Sequence, residues 1–525
     1  MKINPLFAID FYKTDHRRQY PEGTTEVYAN FTPRYCHLSN MLPDFDKKVV
    51  FFGLQYFIKD FLINCWNQEF FNKPRGYALY EYKRRMDISL GRDSISIDHI
   101  AALHDLQYLP IKIKALREGT RVPIGCPVLT IVNTHPDFFW LTNYLETIIS
   151  CYLWKPITSA TIAYEYKKLL TQYAKKTGTD LDFVKYQAHD FSFRGMSGPQ
   201  DAALSGAAHL TSFYGTDTVC SIDLIEEYYD GIYSLDPLGC SVPATEHSVM
   251  CMGTKDGELE TFKRLITEIY PKGIVSIVSD TWDFWRVITI YALQLSNEIS
   301  SREGKVVFRP DSGDPVKIIC GDPDALEGSA QRFGAVVCLW KIFGGTITST
   351  GHKLLNPKVG LIYGDSITLD RAEQILKGLE EKGFASGNIV FGVGSYTYQH
   401  VTRDTFGFAM KATSGVVNGE RREIFKDPAT GDGSKRSAKG LLRIEREDNN
   451  LICYDQQTEE QEDTGLLETA FLNGEIMNPT TIMNIRTELD LADAKWIGED
   501  IEECLRHVEE TRGLTKGIIR GQKPV

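Results

Sequence analysis

Three stretches decide the fold: residues 274–283 (IVSIVSDTWD), 306–314 (VVFRPDSGD) and 360–366 (GLIYGDS). Each is a short apolar run that breaks into Ser, Asp or Gly. A run of this length bounded by turn residues reads as a strand buried on both faces. A helix signal follows, clearest in TLDRAEQILKGLEEKG (368–383), which stops at Gly383. Strand, polar turn and helix in that order make a βα unit.

The same order recurs on either side, in HDFSFRG (189–195), GTDT (215–218), TEHS (245–248) and FGVGS (391–395). Taking positions 194, 217, 247, 280, 309, 365 and 392 as markers, the intervals are 23 to 33 residues with one of 56. A βα unit takes about 30 residues. The long interval contains a Gly- and Cys-bearing stretch, 320–352, that reads as an insertion. Serial βα units imply parallel strands whose polar ends fall on one side. In an α/β barrel that side carries the active site. One such cluster alone is more simply the N-cap of the next helix. Seven in phase, several with Arg or His added, point to a shared site.

The chain ends read differently. PIKIKAL (110–116) and PVLTIVN (127–133) form a pair of strands, and HPDFFWLTNYLETIISCYLW (135–154) an aromatic-rich helix. Residues 73–105 are polar and read as an insertion, with KRR (83–85) on a solvated helix face. Beyond residue 400, 426–440 is a basic loop, 441–455 a hairpin and 492–513 an amphipathic helix.

Composition narrows the function. The 58 Lys and Arg against 70 Asp and Glu give a net charge of −12, which argues against a general nucleic-acid binder. A few placed cations can still hold a phosphate inside an acidic protein. The eleven Cys lie between Cys36 and Cys504 with no Cys-x-x-Cys pair, which fits reduced thiols in a cytoplasmic protein. The N-terminus lacks the apolar core of a signal peptide. The greasiest stretch, 49–66, carries Lys59 and Asp60 and is too short to span a bilayer.

The clusters supply a consistent chemistry. Arg194 and Arg309 are fixed cations suited to phosphate oxygens. Asp280, Asp311 and Asp365 suit ribose hydroxyls or Mg2+. The 391–395 turn, with Gly394 and Ser395, offers backbone N–H groups to a phosphate. His247, with Glu246 beside it, is a candidate base or phosphoryl acceptor. Neither a His-x-His, a His-Glu-x-x-His nor a Walker phosphate loop occurs, so the residues themselves point to a phosphorylated sugar ligand without a zinc cage.

Phe191-Ser192-Phe193-Arg194-Gly195, Gly215-Thr216-Asp217-Thr218, Val242 to Ser248 and Arg309-Pro310-Asp311-Ser312-Gly313 resemble the nicotinamide phosphoribosyltransferase family. Asp10-Phe11-Tyr12-Lys13, the 141–147 helix and Lys426-Asp427-Pro428 do so as well, in order from about residue 3 to 480. The resemblance implies transfer of phosphoribose from phosphoribosyl pyrophosphate (PRPP) to nicotinamide, with Mg2+ as cofactor. It implies ATP as a coupled substrate acting through a phosphohistidine at His247, oriented by Glu246 and Asp280. It also implies a homodimer with shared sites. The implied fold is an irregular α/β barrel (151–399) with a sheet-containing α+β domain built from 1–150 and 400–525.

By the same resemblance, Phe191 and the other subunit's Tyr12 stack on the pyridine, with Asp10 beside Tyr12 in the substrate-binding motif. Asp217 accepts from the carboxamide, and would repel nicotinate. Arg194, His247 and Arg309 form the pyrophosphate side; Asp311, Gly364 and Asp365 form the ribose side. Arg403, Arg34, Lys426 and Lys435 reach phosphates across the dimer interface. The phosphate turn departs from the family's Gly-rich pattern at Ser395 and Tyr396. Transfer to nicotinate, a phosphosugar barrel hydrolase or lyase, and a non-enzymatic binding protein stand as rivals.

Overall fold

The computed structural model describes residues 3–37, 42, 44–232, 237–364, 367–425, 438–448 and 450–497. It is a mixed α/β protein with two principal sheets. The first is a six-stranded parallel sheet in the order Gly215–Thr216, Ala188–Asp190, Val390–Val393, Val359–Tyr363, Glu303–Arg309 and Lys272–Val278. The three stretches quoted at the outset supply its last three strands. Their apolar character follows from burial: Val275, Ile277, Val306, Phe308, Leu361 and Tyr363, alternate residues that share one face of each strand, are all buried, while Ser276, Val307 and Ile362 line a cavity on the other face. Each such side chain contributes roughly 1.5–3 kcal/mol on burial.

Every connection in this sheet carries helix. Pro199–His209 joins the 188–190 and 215–216 strands, and Leu369–Glu381 joins 359–363 to 390–393. The latter helix begins at Thr368, whose side chain caps it, and ends before Gly383, whose φ of +73° suits glycine. Residues 240–245 touch both outer edges of the sheet. Thr216 N–H donates to Cys240 O, and Ser276 N–H donates to Pro243 O. The parallel strands thus curve as a half-barrel, with 240–245 lying across its gap.

The 320–352 stretch is packed rather than looped out. Its helix Ala335–Phe343 buries Val336 and Leu339, and a small hairpin, Gly345–Ile347 with Lys353–Leu355, follows. Residues 73–105 are likewise structural: the helix Arg75–Leu90 buries Ala78, Leu79, Tyr82 and Met86 in the core. The spacing i, i+1, i+4, i+8 of those four is the helical stripe that the surrounding charges obscured.

The second sheet mixes strands from both chain ends. Its order is Glu420–Glu423, Ala409–Val417, Thr24–Thr32, Leu129–Asn133, Ile111–Ala115, Glu468–Leu472 and Glu475–Ile476, all antiparallel. The expected strand pair is there, with Ile111 opposite Asn133. The 441–455 hairpin is Leu441–Glu447 with Asn450–Gln457.

The aromatic-rich stretch is not one helix: Pro136–Phe138 is a 3-10 turn and Leu141–Tyr144 a short helix, and a long helix then runs well past the end of the sequence signal. It spans Glu146–Thr177 through an internal Pro156 and closes at Gly178, φ +70°. It packs on the Pro199–His209 helix and on the Lys48–Val50 strand, which pairs separately with Arg121–Pro123, and it also touches the Ala409–Val417 strand of the second sheet. One continuous buried cluster runs from Ala29, Ile113 and Phe471 to Val275, Leu361 and Phe391. No helix among the described residues is long and apolar enough to cross a membrane.

Candidate functional site

The carboxyl ends of the parallel strands bring the polar clusters together and lock them by main-chain bonds. Phe191 N–H donates to Val393 O, Asp217 N–H to Asp190 O, and Ser279 N–H to Arg309 O, each at 2.9 Å. The Asp280 carboxylate does similar work with its Oδ2, which accepts from Asp311 N at 2.9 Å and from Ser312 N and Oγ at 2.8 and 2.6 Å.

At one end stands Asp217. Its Oδ1 accepts from His189 Nε2 at 3.0 Å and from Ser241 Oγ at 2.6 Å. Burial alone would raise its pKa. The bonds from His189 and Ser241 and the charges of His189 and Arg309 outweigh this and hold the carboxyl below its ordinary value. The side chain keeps 47% of its exposure, so it remains open to a ligand.

Beside it the Phe191 ring lies against two glycines. A Cβ at Gly392 would stand 2.5 Å from Phe191 Cδ2, and one at Gly364 would stand 3.0 Å from its Cε2. Both positions therefore require glycine for the ring to sit there. His189 and Phe191, two residues apart on one strand, share a face, with ring centroids 5.0 Å apart. These groups open onto a cavity of about 760 Å3 that continues between the strands, lined by Asp217, Ser241, Ser276 and Arg309 among others. Ser276 Oγ is buried there with no hydrogen-bond partner among the described residues.

At the other end is His247. Its Nδ1 lies 3.3 Å from Thr281 Oγ1, and its Nε2 lies 3.9 Å from both Asp280 Oδ1 and Asp311 Oδ2. Asp280 Oδ1 is buried without a hydrogen-bond partner among the described residues. Arg309 joins the two ends: Nη2 donates to Thr245 O at 2.7 Å, while Nε is 3.6 Å from Asp311 Oδ1. Glu246 does not orient the His247 ring here; its carboxylate accepts from Ser248 Oγ instead.

Arg194 is exposed on a single turn, Phe193–Gly195, at the rim. Gly195 rests directly on Ser395, whose Cβ would be 2.5 Å from a Cβ at Gly195. Gly394 precedes the short helix Ser395–Gln399. The remaining candidates lie elsewhere on the chain. Asp10 accepts from Thr147 Oγ1 at 2.6 Å, and Tyr12 is 62% exposed. Arg34 Nε donates to Gly407 O, and Arg403 pairs with Asp404. Asp365, Lys426 and Lys435 fall outside the described residues.

His189, Ser241, Ser276 and Thr281 escaped the sequence reading. Three of them carried a signal, being one or two positions from a named residue. Ser276 carried none, since a Ser inside an apolar strand looks like ordinary core.

The sequence model described as the nicotinate phosphoribosyltransferase (NAPRTase) family matches residues 186–475, and the nicotinamide phosphoribosyltransferase N-terminal domain matches residues 4–81. A nicotinamide phosphoribosyltransferase of Acinetobacter baylyi is 61% identical, covering 93% of this chain and 97% of its own. That of Mycoplasma pneumoniae is 34% identical, covering 83% and 95%. In structure, the Pyrococcus furiosus nicotinate-nucleotide pyrophosphorylase aligns over 95% of this chain and 97% of its own, with TM-score 0.54 at 14% identity. Human nicotinic acid phosphoribosyltransferase aligns over 92% and 93%, with TM-score 0.50 at 14% identity. With a family model over more than half its length and a close relative over nearly all of it, the chain belongs to the nicotinate phosphoribosyltransferase (NAPRTase) family.

Proposed function

We infer that the protein transfers phosphoribose from PRPP to nicotinamide, giving nicotinamide mononucleotide and pyrophosphate, as a step of NAD salvage. The observation that carries the choice of acceptor is Asp217, a carboxylate held ionised beside the Phe191 ring at the mouth of a cavity. A carboxylate accepts from the carboxamide NH2 but repels nicotinate, which brings only acceptors and a charge. Sites built around one specific hydrogen bond discriminate by about 10^4 or more. The nicotinamide names of the two relatives support the same choice.

In this reading Phe191 stacks on one face of the pyridine, and Tyr12 of a second subunit, flanked by Asp10, stacks on the other. The protein is then a homodimer with shared sites, and Arg34, Arg403, Lys426 and Lys435 reach phosphates across the interface. Arg194, Arg309, Gly394 and Ser395 hold phosphate and pyrophosphate oxygens; Asp311, Gly364 and Asp365 hold the ribose. The C1–O bond to pyrophosphate breaks, positive charge develops at C1, and the pyridine nitrogen forms the new bond. These residues act by positioning and by neutralising the departing charge.

The donor set suits Mg2+, which takes hard oxygens and combines one or two carboxylates with substrate phosphates. Asp280, with its unpartnered buried oxygen, and Asp311 would hold it. When bound it would shield the pyrophosphate charge. ATP is the coupled substrate: its γ-phosphoryl group passes to His247 with release of ADP. Asp280 and Thr281 hold the ring, and Glu246 stands next to it. The half-barrel strands are read as an irregular barrel over 151–399 that 240–245 closes, with 1–150 and 400–525 as the second domain.

Product identification by mass tests the reading. The protein is incubated with PRPP and Mg2+ and either nicotinamide or nicotinate, with and without ATP. Nicotinamide mononucleotide as the main product is expected. Nicotinate mononucleotide instead would overturn the role of Asp217, and no product from either would overturn the reaction.

A further inference from the structure

A buried histidine outside the site ties the strand that leads to Asp217 to the Ser395–Gln399 turn. His209, the last residue of the Pro199–His209 helix, has no solvent exposure. Its Nε2 is 3.2 Å from Gly215 O and its Nδ1 is 2.7 Å from the hydroxyl of Tyr398, itself fully buried. A carbonyl only accepts, so Nε2 carries the proton and Nδ1 accepts from Tyr398. Burial lowers the His209 pKa to about 4, which keeps this neutral tautomer at working pH.

The two partners are what matter. Gly215 begins the two-residue strand that delivers Asp217. Tyr398 belongs to the Ser395–Gln399 turn, whose Ser395 is packed on Gly195 of the Arg194 turn. The ring therefore spans from the phosphate-side main chain to the pyridine-side main chain. No part of it faces the ligand space.

We propose that His209 is a positioning residue that couples the two halves of the site. Resting on the function inferred above, occupation of the phosphate side fixes the 394–399 turn. Tyr398 and His209 pass that order to Gly215, and so to the carboxylate of Asp217. PRPP bound first then tightens nicotinamide binding, and by linkage nicotinamide tightens PRPP by the same factor.

The test uses the full chain and measures nicotinamide KM and kcat at a series of fixed PRPP concentrations. In the parent, nicotinamide KM should fall by at least about fivefold as PRPP reaches saturation, the lower end of ordinary coupling. Tyr398→Phe removes one hydroxyl and keeps the ring. It should lose most of that dependence while kcat changes less than KM. His209→Gln should behave alike, and the double variant should be no worse than either single one, because both cut the same link. Tyr229→Phe, which removes a similar buried hydroxyl from Glu118, neither residue lining the cavity, controls for general loosening and should keep the dependence. Full PRPP dependence in Tyr398→Phe, additive effects in the double variant, or equal loss in Tyr229→Phe would each overturn the coupling. A parent that uses nicotinate instead would overturn the acceptor assignment alone, since the coupling is then read on nicotinate in the same way.

Discussion

Gly392 lies directly beneath the ring of Phe191, so close that a Cβ there would come within 2.5 Å of Cδ2. The pairing holds because Gly392 sits opposite His189 in parallel register, and His189 lies two residues before Phe191 on the same face. Gly392→Ala must push the ring or the strand aside. Overpacking of this kind costs about 1–3 kcal/mol. We expect nicotinamide KM to rise by about tenfold, since 1.4 kcal/mol is a factor of ten. An unchanged KM in steady-state kinetics would show that the ring does not shape the pyridine site.

Asp217→Asn should weaken nicotinamide use and narrow the preference over nicotinate. An amide can accept one bond but also presents NH2 to the ligand, and it removes the repulsive charge. The pH profile carries a sign. Because its folded pKa is held below the ordinary value, the ionised form is retained above about 3.9 and lost only as pH falls further. The parent's kcat/KM for nicotinamide should therefore show no acid limb assignable to Asp217 between pH 5 and 8. Competition assays with both acceptors measure the preference directly.

His247→Ala should abolish stimulation by ATP and leave basal transfer. The phosphoryl acceptor is gone, while Arg194 and Arg309 of the pyrophosphate side remain. Labelled ATP should leave an acid-labile phosphate on the parent and none on the variant. Equal stimulation in both proteins would remove the phosphohistidine role.

If Tyr12 completes the site of a second subunit, inactive Tyr12→Ala and Phe191→Ala proteins should partly complement each other when mixed. Hybrid dimers would hold one site with both aromatic residues intact. Subunit exchange is verified by mass-tagged partners. Absence of recovered activity after proven exchange would refute shared sites.

His99 offers a prediction about stability. Both ring nitrogens are buried and lack partners among the described residues, and the ring packs edge-on against Trp140. Burial lowers its pKa to about 4. A histidine depressed in the folded state contributes stability that is complete above about 6.5 and is lost as pH falls from there toward 4. Its share is roughly 3 kcal/mol at 1.36 kcal/mol per unit. His99→Phe should flatten the fall in stability between pH 6.5 and 4.5, as read by urea unfolding at each pH.

The sequence by itself determined the parallel half of the fold, because a βα unit is written locally. An apolar run of five to seven residues, a polar turn and a helical stripe need no distant partner to be read. The same local grammar put Asp217, His247, Asp280, Arg309 and Asp311 at strand ends and so on one side of the sheet. It went astray where helical periodicity was masked by surface charge, as in Arg75–Leu90, and where one helix ran past its apparent end to Thr177.

Tertiary structure alone decided which atoms meet. Asp280 spends one oxygen on the 311–312 main chain and keeps the other near His247, while Glu246, adjacent to His247 in sequence, turns to Ser248. His189 reaches Asp217 across 28 residues, and His209 reaches Tyr398 across 189. Such pairings depend on strand register and on the small side chains that let segments approach. They are set by packing between residues far apart in the chain, for which no local pattern of residue types can stand in.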